Sequence, residues 1–286
     1  EYNLPGDAPR SEGGLPLTER TIADRMQTAG YATGLIGKWH LGLAPAFHPT
    51  NRGFDEFHGF RAGSRSYFGN EALRGGNRAY EHVDGTDRGS EVESEIVYLT
   101  DTIANDAVTF IRDHADRPSF LVVAFNAPHG PMHATDEDLA SIDPALAPDR
   151  RRIYAAMMRS LDRACGSIGD AIDASGRDTL FIFVNDNGGA TNNASDNGPL
   201  RGMKGSQFEG GIRVPGFVRR PAVFKPGSIV VPVSTLDLVA TAVATAKGDL
   251  DGLDGVDLDP WLHARKVDRP HQQLFWRRGP VAAVRD

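Results

Sequence analysis

Apolar positions along this chain recur with two different periods, and the switches between them mark out its elements. Over residues 18–29, Ile22 and Met26 fall on one helical face behind a candidate N-cap, Thr18, and Gly30 stands where such a helix would stop. A short strand is expected at 32–36. Residues 99–114 put Ile103, Ala107, Phe110 and Ile111 on the core face of a second helix. Phe120 to Phe125 is an unbroken apolar run, the pattern of a strand buried on both faces. A long helix is expected over about 150–174, a second buried strand over 180–184, and a helix over 234–246 that Ser234 and Asp237 open as a capping box. Residues 43–95 break the pattern: they are rich in Gly, Arg, Ser and aromatics with no sustained period. They read as long loops with short elements, which in a compact domain usually form a binding surface.

Buried strands alternating with helices predict an α/β fold built on a mixed, mostly parallel sheet with helices on both faces. The polar residues that carry chemistry follow these strands: Lys38 and His40, then His129, then Asp186 and Asn187. The carboxyl ends of strands are where open α/β sheets bind ligands, so these residues are expected to gather there.

Composition narrows the function. With 286 residues, 40% hydrophobic and 24% charged, the chain has the makeup of a globular protein of one large domain or two smaller ones. A formal net charge of -7 argues against a nucleic-acid surface, and an anionic substrate would have to be met by locally concentrated cations. No apolar run approaches membrane-spanning length, and residues 1–7 carry no signal-peptide pattern. The single cysteine, Cys165, excludes an intramolecular disulfide and a cysteine-rich zinc site. It shares a helical stripe with Leu161, Ile168 and Ile172 and reads as a small buried hydrophobe rather than a nucleophile.

Four clusters hold the candidate chemistry. Asp186-Asn187-Gly188-Gly189 pairs a carboxylate with an amide carbonyl, hard oxygen donors suited to Ca²⁺ or, less well, Mg²⁺; an Asx turn is the plainer alternative. Gly37-Lys38-Trp39-His40-Leu41-Gly42 sets two cationic groups in a glycine-flanked turn, placed either to bind an oxyanion or simply to hydrogen-bond locally. Ala127-Pro128-His129-Gly130-Pro131 holds an imidazole between two prolines, which suits general-acid work on a leaving oxygen, with His133 as a rim residue. The glycine-rich stretch 197–215 lets backbone approach a ligand and carries Lys204, but it matches neither a P-loop nor a dinucleotide fingerprint.

Taken in order, these blocks resemble the type I, formylglycine-dependent sulfatases of the alkaline phosphatase superfamily. The series is Gly-Lys-Trp-His-Leu-Gly, Arg52-Gly53-Phe54-Asp55-Glu56-Phe57, Ala-Pro-His-x-Pro, Asp-Asn-Gly-Gly, and the Leu200-Arg201-Gly202-Met203-Lys204-Gly205 block with Glu209-Gly210-Gly211-Ile212-Arg213-Val214-Pro215. The likeness runs on through Ser234–Leu238 and Asp254–Leu258. It implies one catalytic domain over 1–286 that hydrolyses sulfate esters, of small molecules or carbohydrates, at a calcium site. Asp186 and Asn187 match calcium ligands, Lys204 a sulfate-binding lysine, His129 the proton donor to the leaving oxygen, and Lys38 and His40 the pair around the nucleophile. It also implies a periplasmic or secreted protein.

The family's nucleophile is a formylglycine made from the cysteine of Cys-x-Pro-x-Arg, or from serine in some bacterial members. Residues 1–37 hold no such motif: Ser11 is followed by Glu12-Gly13-Gly14, and Cys165 by Gly166-Ser167-Ile168. The adjacent aspartates that open the family's calcium site are also absent. The resemblance therefore implies an internal stretch of a longer protein, flanked by a nucleophile-bearing segment and a small C-terminal sheet, and inactive by itself. Two alternatives stay open: a non-catalytic binder of anions or sugars, and a phosphoester or phosphonate hydrolase of the same superfamily.

Overall fold

The computed structural model describes residues 13–69, 80–83 and 96–286. The N-terminal stretch 1–12 and, within the 43–95 stretch expected to form a binding surface, residues 70–79 and 84–95 lie outside the described residues. The chain divides into two compact units, Glu1–Arg177 and Asp178–Asp286.

In the first unit, β1 (Ala32–Lys38) pairs in parallel with β2 (Glu56–Phe60) on one edge and β4 (Ser119–Ala124) on the other, while β3 (Glu81–Val83) runs antiparallel to β2. The order β3-β2-β1-β4 makes a mixed, mostly parallel sheet, as the pattern predicts. Alternation along β1 splits its apolar side chains between the faces. Leu35 packs with Ala23, Trp39, Phe54 and Phe57, whereas Ile36 packs with Phe60, Ile103, Ala107 and Phe110. The first cluster includes Ala23 of α1 (Ile22–Thr28), and the second is covered by α2 (Leu99–Asp113), which packs in turn on α4 (Asp149–Ala174). Gly34 admits α2 this closely, because a methyl group there would collide with the Phe110 ring.

Several boundaries differ from the sequence reading. The first helix is capped by Thr21, not Thr18: Thr21 Oγ1 accepts from Asp24 N, and Asp24 reaches back to the Thr21 amide. Inside the loop-like 43–95 stretch lies β2, a full member of the sheet, whose Glu, His and Gly residues hid its period. The apolar run at β4 is half-buried rather than buried, since β4 ends the strand order and pairs with β1 alone among the described residues. Cys165 is likewise half-buried, just off the stripe of Met157, Leu161, Ala164 and Ile168. Burial, and then the Asp162 charge, push its thiol pKa up, which disfavours the thiolate a nucleophile needs.

In the second unit, β5 (Phe181–Val184) pairs antiparallel with β6 (Gly216–Arg219), and β7 (Leu274–Arg278) with β8 (Val281–Arg285). Three of four β5 residues are half-buried and Val184 is exposed, so the expected strand forms but is not enclosed. Helix α5 (Thr235–Thr245) opens on the expected capping box, with Ser234 N donating to Asp237 Oδ2 at 2.7 Å. Asp237 also accepts from the Val256 amide (2.9 Å) and lies 2.8 Å from His271 Nε2, binding three segments at one carboxylate.

A second carboxylate organises the helical layer of the first unit. Asp138, on α3 (Asp136–Ala140), accepts two hydrogen bonds from Arg163 (2.6 and 3.1 Å), one from Ser160 (2.5 Å) and one from Thr135 (2.9 Å). Burial pushes its pKa up, but these donors and the Arg163 charge outweigh burial and hold it at about 2, below the ordinary 3.8. A carboxyl that titrates lower in the fold than in the unfolded chain stabilises fully above its ordinary pKa and loses that contribution as pH falls through the folded value. Asp138→Asn should therefore cost about 1.5–3 kcal/mol in urea unfolding at neutral pH, the range for hydrogen bonds to a charged group. The gap to wild type should close as pH drops from 3.8 to about 2; a pH-independent gap would contradict this assignment.

Candidate active site

Strand β1 ends at Lys38, and the chain stays tied to the end of β2 beyond it: Trp39 N donates to Phe60 O at 3.0 Å and His40 N to Arg61 O at 3.1 Å. Trp39 is buried against Phe54 and donates Nε1–H to Phe47 O at 2.8 Å, so it anchors the turn between Lys38 and His40. Gly37, at φ 105°, lies so close to the Ala124 carbonyl that no side chain fits. His40 takes a left-handed backbone, φ 57°, and lays its ring over Gly63.

The neighbouring strand, β4, leads into the turn carrying His129. Since Gly37 is in register with Ala124, both strands deliver their polar residues at the same carboxyl edge. The turn is closed by His129 N donating to Asn126 O at 2.7 Å, and Tyr67 Oη donates to His129 O at 3.0 Å. His129 Nδ1 lies 2.8 Å from Gly130 O. A carbonyl only accepts, so this bond keeps a proton on Nδ1 and makes Nε2 the nitrogen that takes up and gives off protons. The structure thus brings Lys38, His40 and His129 to one sheet edge of the first unit. Asn126, unremarked in the sequence, is 4% exposed, and neither polar atom of its side chain has a hydrogen-bond partner.

Asp186 and Asn187 follow β5 in the second unit. Gly188 N donates to Gly211 O at 3.0 Å, and Lys204 N to Gly189 O at 3.2 Å, so Lys204 and the Asp186–Gly189 turn share one loop cluster. Asn197 clamps that cluster: its Oδ1 accepts from Gly189 N and its Nδ2 donates to Gly189 O, both at 2.8 Å. Asn187 Nδ2 donates to Gly188 O at 2.9 Å, which leaves Oδ1 as the atom its amide offers a cation. With the exposed Asp186 carboxylate this is a hard, all-oxygen donor pair and fits a calcium ion as part of a larger ligand set.

Arg52 of the Arg-Gly-Phe-Asp block does structural work. It is 4% exposed and donates to the carbonyls of Leu15 (2.8 Å), Pro16 (3.1 Å) and Glu19 (2.9 Å). Asp55 of the same block accepts from Thr33 N at 2.8 Å, tying the entry of β2 to β1.

The sulfatase family model matches residues 2–248. The chain belongs to the sulfatase family. It is similar to arylsulfatase J of Mus musculus, 32% identical over 280 residues, covering 90% of this chain and 45% of that protein. It is equally similar to N-acetylgalactosamine-6-sulfatase of Homo sapiens, 32% identical over 285 residues, covering 93% of this chain and 52% of that protein. The chain thus spans about half the length of these curated relatives. Among solved structures, Ps i-CgsB in complex with k-i-k-neocarrahexaose superposes with a TM-score of 0.87 at 33% identity, over 99% of this chain and 67% of that one. The family places the fold in the alkaline phosphatase superfamily, in line with its mixed sheet and two-sided helical cover. No helix among the described residues is long and apolar enough to cross a membrane.

Because Asn197 pairs with both backbone groups of Gly189, sharing the carbonyl with Lys204 N, Asn197→Ala should loosen the Asp186–Lys204 loops. The expected result is faster hydrogen exchange at the Gly189 amide and a stability loss of about 1–3 kcal/mol from that unmet donor. Unchanged exchange at Gly189 would show that the clamp is dispensable.

Proposed function

We propose that the full protein hydrolyses sulfate esters, with Lys38, His40, His129 and Lys204 as its reactive and substrate-holding groups and Asp186 and Asn187 as ligands of Ca²⁺. The observation that supports this reading is the Nδ1 bond of His129 to Gly130 O at 2.8 Å, which sets the ring tautomer in a turn whose flanking sequence belongs to the sulfatase family.

In the net hydrolysis the sulfur–oxygen ester bond breaks, the departing oxygen takes a proton, and water, entering by way of the hydrated nucleophile, supplies the oxygen that remains on sulfur. His129 Nε2–H gives the proton to the leaving oxygen. Lys204 and Lys38 hold the sulfuryl oxygens, whose charge they offset most where it builds up most, in the transition state. His40 assists the later release of sulfate. A Ca²⁺ ion held in part by Asp186 and Asn187 would add fixed positive charge at the same oxygens. The nucleophile in this reading is a formylglycine outside the 286 residues, so this stretch alone releases no sulfate and binds Ca²⁺ weakly. Export to the periplasm or the cell exterior belongs to the same proposal.

The roles of His129 and Lys204 separate by leaving group. In the full protein, His129→Ala should lower the rate by about 10²–10⁴-fold for a poor leaving group, the usual worth of a general acid. The defect should shrink across a series of aryl sulfates as the phenol becomes more acidic, because such an oxygen departs without a proton. Lys204→Ala should give a defect that is nearly constant across the series. A constant defect for His129→Ala with a graded one for Lys204→Ala would reverse the assignment.

A further inference from the structure

Strand pairing and helix packing bring together three ligand-type side chains that the proposed sulfate chemistry does not use. In the antiparallel β2–β3 ladder His58 stands directly opposite His82, and their rings stack with centroids 4.3 Å apart and planes 8° apart. His58 is in register with Ile36, on the sheet face that α2 covers, and from α2 comes Asp106. One ligand atom from each of His58, His82 and Asp106 lies within 4.8 Å of the other two.

We propose that His58, His82 and Asp106 bind a divalent transition-metal ion of the Zn²⁺ class.

Three features support a shared ion over a simple ion pair. His82 Nε2 is buried and lies 3.3 Å from Asp106 Oδ2, yet it forms no hydrogen bond. The two groups are near each other without being aimed at each other. Asp106 is instead held by Tyr80, whose hydroxyl donates at 2.5 Å to Oδ2, the oxygen beside His82. A carboxylate steadied by an outer hydrogen bond is the common arrangement behind a metal ligand. Finally, all three residues are half-buried, which gives an ion a route in and room to keep a water ligand.

The donor set chooses the metal. Two imidazole nitrogens and one carboxylate oxygen suit Zn²⁺, Ni²⁺, Co²⁺ or Cu²⁺, whereas Ca²⁺ and Mg²⁺ prefer oxygen throughout. Zinc–ligand bonds of about 2.0–2.2 Å put neighbouring ligand atoms roughly 3.3–3.5 Å apart, so from separations within 4.8 Å no pair must close by more than about 1.5 Å, within reach of side-chain rotation. An ion here would tie β2, β3 and α2 together. Since β3 sits in the sequence between the 70–79 and 84–95 segments, it would fix the strand from which both depart.

The test uses the full protein, stripped with chelator and titrated with Zn²⁺ by calorimetry while Ca²⁺ is in excess. Wild type should bind one Zn²⁺ per chain at this site, and its melting temperature should rise with Zn²⁺. His82→Ala and Asp106→Asn should each weaken that binding by about 10–100-fold or more and abolish the thermal shift. Absence of saturable Zn²⁺ binding, or binding unchanged in both variants, would overturn the proposal. Should neither variant fold, the Co²⁺ absorption spectrum of wild type decides: bands of a low-coordinate site with nitrogen ligands support it, and an octahedral, all-oxygen spectrum overturns it.

Discussion

Strand β1 exchanges backbone hydrogen bonds on both edges and has apolar cover on both faces, and the first unit is arranged around meeting those two demands at once. A strand buried this way has no polar face, so every side chain from Ala32 to Gly37 must be apolar, small or locally satisfied, as Thr33 is by Gly53 O and Asp55. Its end is then the first place where charge is admissible, and Lys38 and His40 stand there. The parallel register that sets Gly37 beside Ala124 makes β4 end at the same level, which brings the His129 turn to the same edge. The position of three candidate site residues thus follows from how one strand is buried.

The motif residues divide into two kinds. Arg52, Asp55 and Trp39 spend their polar groups on backbone carbonyls, amides and hydroxyls of neighbouring segments and hold the frame. His129 and Lys204 are anchored through their backbone amides, and His129 Nδ1 and Asn187 Nδ2 each bond to the carbonyl of the next residue. Asp138 and Asp237 show the structural counterpart: carboxylates deep in the fold whose oxygens are fully engaged by donors.

Much of this was legible in the sequence because its signals are local. The helices at 99–113, 149–174 and 235–245 follow from apolar spacing, and the Ser234–Asp237 capping box from two residues. The strands at 32–38 and 119–124 follow from apolar runs. What escaped depends on partners far along the chain. Glu56-Phe57-His58-Gly59-Phe60 is a strand because Phe57 and Phe60 enter opposite cores and Glu56 meets His114, 3.1 Å away on the end of α2. Nothing in its own period says so. Thr18 looked like a cap by spacing, but Thr21 has Asp24 three residues on to complete the box. The half-burial of β4 and β5 is a matter of which edges are paired, which an apolar run cannot encode. Asn126, Asn197 and the His58–His82–Asp106 group were invisible because each acquires its meaning only from residues brought in by pairing or packing.

The account rests on a transferring group with sulfate's charge meeting two lysines and a proton donor. The most direct test is kcat/KM of the full protein for an aryl sulfate against the matching aryl phosphate, with the His129→Ala variant as control. The account predicts a marked preference for the sulfate and a loss of that activity in the variant. A preference for the phosphate, or sulfate turnover indifferent to His129, would contradict it.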